Sequence, residues 1–166
     1  PRTVYGISKM RGEAFVERLM KNKNMDTYII RLGNVYGFNQ TMRFDAVINH
    51  FAFDANFLKK ISIHGDGRQI RSFINVDKAA KYLTEIPFLN VPSGDYNMVD
   101  FNKSIMEIAL TFKDIFPDLE MQFINQHLQR RNIAVDTDCK IYKYIPKETT
   151  NLKGELFSMI QQFAFH

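Results

Sequence analysis

Apolar and polar positions alternate along this chain with two different periods, and the switches between them mark out its elements. Residues 7–23 place apolar side chains at helical spacing and predict a helix. The run DTYIIRLGN (26–34) is short, apolar and β-branched, and it ends at Gly33, as a buried parallel strand does. In MRFDAVINHFAFDANFLKK (42–60) the spacing turns helical again through Phe44, Val47, Ile48, Phe51 and Phe57. KISIHGDGRQIRSFINV (60–76) reads as strand, Gly-containing turn and strand, most simply a hairpin. Asp77 can N-cap KAAKYLTEI (78–86), which Pro87 should stop. DYNMV (95–99) predicts a strand, NKSIMEIALTFKDIF (102–116) a helix closed by Pro117, and EMQFINQ (120–126) a last strand. Helices are predicted at 137–144 and 151–164, on either side of Pro146. Strands that alternate with helices make this an α/β chain.

Composition narrows the picture. The chain has 166 residues, 45% of them hydrophobic and 24% charged, enough for a real core. A single cysteine, Cys139, rules out an internal disulfide and suits a reducing compartment such as the cytoplasm. No apolar run approaches the roughly 20 residues that span a bilayer, so no membrane partner is expected. The formal charge of +4 favours anionic ligands. Lys and Arg are nevertheless scattered, without the basic stripe that a nucleic-acid face needs. No His/Cys/Asp cluster has metal-ligand spacing, and His64 reads as a structural strand residue.

The first helix holds the strongest chemistry. At about 100° per residue, Tyr5, Lys9, Gly12, Val16, Leu19 and Met20 fall on one stripe, the face expected to pack. Spacing alone allows a snorkelling lysine beside a tyrosine that caps the core. It also allows an acid/base tyrosine, because an ammonium one turn away favours the phenolate.

Four stretches read together favour the second view. PRTVYGISKMRGEAFVERL resembles the catalytic helix of the extended short-chain dehydrogenase/reductases, the nucleotide-sugar-modifying NAD-dependent epimerase/dehydratase family. IIRLGNVYG is similar to that family's Arg-x-x-Asn-x-Tyr-Gly strand and turn. ISIHGDGRQIRSFINVDKAAKYL resembles its GDG-x-Q-x-R-x-F-x-x-V-D segment, and YNMVDFNKSIMEIA the strand and helix that follow. The resemblance covers residues 1–110 and weakens beyond 120. It implies the C-terminal part of a Rossmann-like, doubly wound fold, with the catalytic helix and its strand in 1–37. A small α/β substrate-binding region would occupy most of 38–166, with some elements returning to the Rossmann sheet.

The implied enzyme is a nucleotide-sugar epimerase, dehydratase or reductase that uses NAD or NADP and forms a homodimer at full length. Tyr5 would move a proton at the sugar. Lys9 would tune Tyr5 and contact the cofactor ribose, as Tyr5 itself would. Asn34 would touch the nucleotide-sugar and Arg71 its diphosphate, for which a planar guanidinium is suited. Arg130 or Arg131 would supply the family's late arginine. On the residues alone, Arg71 could equally be an exposed strand residue in a salt bridge, and Asn34 a turn former between Gly33 and Gly37.

The chain departs from the family pattern at Ser72 (usually Asp), Asn75 (usually His or Tyr) and Phe38 (usually Pro). It also lacks the G-x-x-G-x-x-G turn that cradles a dinucleotide pyrophosphate. The expectation is therefore half an enzyme, inactive alone, whose cofactor-binding half lies upstream. The alternative is a non-catalytic nucleotide-sugar-binding or assembly module.

Overall fold

The computed structural model describes residues 3–23, 25–125, 127 and 131–163. Helix α1 (Val4–Lys23) opens the chain. Thr3 Oγ1 accepts from the Gly6 N–H at 3.1 Å, the bond an N-cap residue makes. Strands β1 (Tyr28–Leu32) and β2 (Asn34–Tyr36) follow almost without a break, then α2 (Val47–Phe57) and β3 (Lys60–His64). Next come β4 (Ile70–Asn75), α3 (Val76–Glu85), β5 (Gly94–Met98), β6 (Phe101–Ser104) and α4 (Ile105–Ile115). β7 (Glu120–Ile124), a 3₁₀ turn at Lys140–Lys143 and α5 (Leu152–Gln161) complete the described chain.

Among the described residues the strands form three small sheets. β1 pairs with β5 in parallel, β3 with β7 in parallel, and the third sheet has the order β2-β4-β6. Within it β2–β4 is parallel and β4–β6 antiparallel. Two cores fill the layers between sheets and helices. The larger gathers Ile48, Phe51, Ile61, Ile63, Phe73, Ile108, Phe112 and Leu156 from α2, β3, β4, α4 and α5. The second joins Ile74, Tyr82, Tyr96, Met98 and Ile141 around α3, β5 and the 3₁₀ turn.

Several expectations change here. β3 and β4 do not form a hairpin, because each finds its partner elsewhere, in β7 and in β2 and β6. The Gly65–Gly67 turn instead carries the chain from one sheet to another, with both glycines at positive φ. The helix predicted from Asn102 starts at Ile105. Phe101–Ser104 is claimed by β4, and Ser104 and Glu107 close a capping box. Asp77 does not cap α3. Asn75 does, its Oδ1 accepting from the Asp77 N–H at 2.8 Å, and Asp77 lies inside the first turn. Helix α2 begins only at Val47, which leaves Phe44 outside it, and both Phe44 and Phe57 stay substantially exposed. The helix expected at 137–144 shrinks to the 3₁₀ turn.

Gly37, in the turn after β2, has φ +132, and a Cβ there would meet Val76 Cγ1 at 2.6 Å. Its N–H donates to the buried Asn49 Oδ1. Gly37→Ala is expected to cost about 1–3 kcal/mol through strain and overlap together, read from urea unfolding midpoints.

Candidate functional site

Helix α1 brings Tyr5 and Lys9 together. Lys9 Nζ lies 5.5 Å from the Tyr5 ring centroid, so ammonium and phenol share one local field. They do not share the packing face, contrary to the stripe read from the sequence. Tyr5 is 69% exposed and Lys9 is exposed, whereas Gly6, Glu13, Val16, Leu19 and Met20 are half-buried. Attachment comes through the far part of the helix. Arg31 on β1 donates to both Glu13 carboxylate oxygens at 2.9 and 2.6 Å, and to Asp95 on β5 at 2.7 Å. This guanidinium holds the Glu13 and Asp95 carboxyls below their usual range. The Tyr5 end of α1 is left open to solvent.

A second group of residues meets on the β2–β4 pair. Asn34 is on strand β2 rather than in a turn, and its Nδ2 donates to the Ser72 carbonyl at 2.9 Å. Parallel register sets Asn34 opposite Phe73, two positions along from Arg71. Arg71 Nη1 donates to the Ile70 carbonyl at 2.8 Å and to the Arg131 carbonyl at 2.5 Å. Residues 131–135 therefore lie along β4. Ile133 N–H donates to the Ile70 carbonyl, Ile70 N–H to Asn132 Oδ1, and Arg71 bridges to Ile133. Arg131 reaches this cluster through its backbone, and Arg130 lies outside the described residues.

The departures from the family pattern have local work to do. Ser72 Oγ donates to Asn102 Oδ1 at 2.6 Å and accepts from Val135 N–H at 2.8 Å, which clamps the 131–135 segment against the sheet. Asn75 caps α3, and the Phe38 ring meets Phe163 edge-on with centroids 5.6 Å apart.

The model of the NAD dependent epimerase/dehydratase family matches residues 1–97, more than half of the chain. This protein belongs to that family. The dTDP-D-glucose 4,6-dehydratase of Homo sapiens is 28% identical over 110 residues, which is 66% of this chain and 31% of that protein. UDP-glucuronic acid decarboxylase 4 of Arabidopsis thaliana is 25% identical over 113 residues, covering 64% and 26% respectively. The fold matches that of UDP-glucuronic acid 4-epimerase from Bacillus cereus, solved with UDP-glucuronic acid and NAD. Its TM-score is 0.81 at 22% identity, over 99% of this chain and 54% of that one. This family member thus spans between a quarter and a third of the curated relatives and about half of the solved enzyme.

The residues present fit one end of a nicotinamide dinucleotide. A phenol and an ammonium one helical turn apart, both solvent-facing, suit ribose hydroxyls. The Gly65–Asp66–Gly67 turn does not suit a pyrophosphate. A Cβ at Gly67 would meet Ile63 Cγ2 at 3.2 Å and Met106 Cβ at 3.4 Å, and the Gly65 N–H is spent on the Ile124 carbonyl. Among the described residues no three His, Cys, Asp or Glu side chains gather as a metal site, and no helix is long and apolar enough to cross a membrane.

Sequence reading missed a buried polar cluster at the carboxyl ends of β2 and β4. Lys78 Nζ lies 2.8 Å from Glu155 and 3.6 Å from Asp100, with Lys78 and Asp100 side chains only 9% and 0% exposed. Burial pulls the Lys78 ammonium down, but the Glu155 bond and the Asp100 charge outweigh it and leave the group raised. Burial pushes the Asp100 carboxyl up, and burial together with Glu155 pushes the Tyr36 phenol far up. One signal was available. Lys78 occupies the same face of α3 as the buried Tyr82 and Ile86, a charge where the helical pattern wants an apolar residue.

A pH experiment follows from the buried carboxyl. Because Asp100 binds its proton more tightly folded than unfolded, its stabilising share is full below about pH 4 and is lost as pH rises through the raised native value. Asp100→Asn removes that dependence. Relative to wild type, the variant is expected to be more favoured at pH 7.5 than at pH 4.5 in urea midpoints.

Proposed function

We propose that this chain supplies the nucleotide-sugar-binding and proton-transfer part of an NAD-dependent nucleotide-sugar epimerase or dehydratase. Tyr5 moves a proton at a sugar hydroxyl or carbonyl oxygen. Lys9 stabilises negative charge on the phenol oxygen as that proton leaves, and both residues hold cofactor ribose. NAD or NADP, when bound, supplies reversible hydride acceptance. Asn34 and Arg71, on adjacent strands, meet the nucleotide diphosphate, with Arg131 and the undescribed Arg130 completing the anion site. The closeness of Lys9 Nζ to the Tyr5 ring is the observation that supports this reading most.

Turnover requires a cofactor-binding half comparable to the rest of the relatives' length, so the 166-residue chain alone is expected to be inactive. The complete enzyme is proposed to be a cytoplasmic homodimer. The test mixes this chain, and separately a longer form that includes a cofactor-binding half, with UDP-glucuronic acid and NAD. UDP-sugar binding by the chain with turnover only in the longer form supports the proposal. Turnover by the chain alone refutes the division of labour. Sugar-nucleotide binding with no NAD binding in the longer form would leave a non-catalytic binding module, the reading that the lack of a G-x-x-G-x-x-G turn in this sequence supports.

A further inference from the structure

The Lys78 cluster ties α3, α5 and Asp100 to the ends of the paired strands β2 and β4. From α3, Lys78 Nζ reaches Glu155 on α5 at 2.8 Å, Thr150 Oγ1 at 2.9 Å, the Thr149 carbonyl at 3.3 Å and Asp100 beyond β5 at 3.6 Å. Glu155 Oε2 in turn accepts from the Tyr36 hydroxyl on β2 and from Asn75 Nδ2 at the end of β4. Asp100 Oδ2 accepts from the Asn75 backbone N–H at 3.3 Å, while its Oδ1 finds no donor among the described residues.

Strand β2 gives this arrangement its meaning. It is three residues long and, among the described residues, stands at the edge of its sheet with β4 as its one partner. So short a ladder fixes a strand poorly, and Tyr36 is its last residue, two positions after Asn34. Glu155 grips β2 through Tyr36 and β4 through Asn75, and Lys78 holds Glu155 in place. An apolar side chain in place of Lys78 would fill the same space without the cost of burying a charge. It could not set the carboxylate that joins the two strands.

We propose that Lys78 is a positioning residue: it locks α5 under the carboxyl ends of β2 and β4 and thereby fixes the spacing of Asn34 and Arg71. The lock itself follows from the contacts above. Its consequence for ligand binding rests on the nucleotide-sugar reading of the Asn34–Arg71 face.

Amide hydrogen exchange on the 166-residue chain tests it, with Lys78→Met and Glu155→Gln as variants. The expected result is exchange at residues 34–36, 73–75 and 152–161 accelerated about tenfold or more beyond whatever change β3 and β7 show. Glu155→Gln keeps shape and volume, so it carries the test if Lys78→Met does not fold. Equal acceleration in every strand would reduce the cluster to general stability and overturn the proposal. So would unchanged exchange at 34–36 and 73–75. Titration with UDP runs beside it. Wild-type binding weakened about tenfold or more by Glu155→Gln extends the lock to the ligand face. No binding by wild type sinks the nucleotide-sugar reading, and the exchange pattern still judges the lock.

Discussion

Tyr5→Phe is expected to lower kcat of the complete enzyme proposed above by about 10²–10⁴-fold while leaving nucleotide-sugar affinity nearly unchanged. The substitution removes one oxygen and nothing else. Tyr5 is largely exposed on a helix end, makes no side-chain hydrogen bond through its hydroxyl among the described residues, and caps no core. A loss of turnover therefore cannot be laid to unfolding, and an unchanged thermal midpoint would confirm that. Steady-state kinetics with UDP-glucuronic acid and NAD separates the cases. A fall in kcat with KM held marks a group that acts in the transition state. A variant that keeps more than a tenth of the wild-type rate would remove Tyr5 from the chemistry, and Lys9 would lose its reason for standing beside the ring.

Lys78→Met should have the largest effect on stability, about 3 kcal/mol, because it strands two carboxylates behind a missing cation. Asp100 is the more exposed to this loss in the energetic sense, since it is fully buried and its remaining donor is the Asn75 N–H at 3.3 Å. Glu155 keeps the Tyr36 hydroxyl and the Asn75 amide. Adding Asp100→Asn to Lys78→Met should therefore recover part of the loss, a coupling of about 0.5–3 kcal/mol in a double-mutant cycle from urea unfolding at pH 7.5. Strict additivity would mean that Lys78 and Asp100 do not sense each other across 3.6 Å.

What was legible in the sequence was local. The apolar run around Ile29 and Ile30 announces a strand whatever its partner, and β1 and β5 are where the pattern put them, although in β1 only Ile29 is buried rather than the whole strand. Partnership is not local. KISIH and IRSFIN flank a glycine turn as hairpin strands would, and nothing in those residues says that Lys60 aligns with Glu120 and Phe73 with Asn34. The tetrapeptide Phe101–Ser104 is strand because β4 lies beside it, through backbone bonds that side-chain periodicity does not register. The orientation of α1 was misjudged for a related reason. Its far part is held by the Glu13–Arg31 ion pair and half-buries Val16, Leu19 and Met20, whereas the stripe assumed an apolar contact along the whole helix.

The candidate site divides in the same way. Tyr5 and Lys9 are four apart on one helix and could be read together from spacing. Asn34 and Arg71 come onto neighbouring strands only because β2 and β4 align in parallel, and it was the family resemblance that pointed to them. The Lys78 cluster draws on residues 36, 75, 78, 100, 149, 150 and 155, so no window along the chain contains it.

The pairing of β1 with β5 also governs how the protein comes into being. Residues 28–32 leave the ribosome long before residues 94–98, and at about 5–20 residues per second the first strand waits roughly 3–13 s for its neighbour. During that interval its hydrogen-bonding edge is open, with Ile29 and Ile30 uncovered. β3 faces a similar delay before β7 arrives. A nascent chain with two waiting strands has a period in which a chaperone or a neighbouring nascent chain can reach them first.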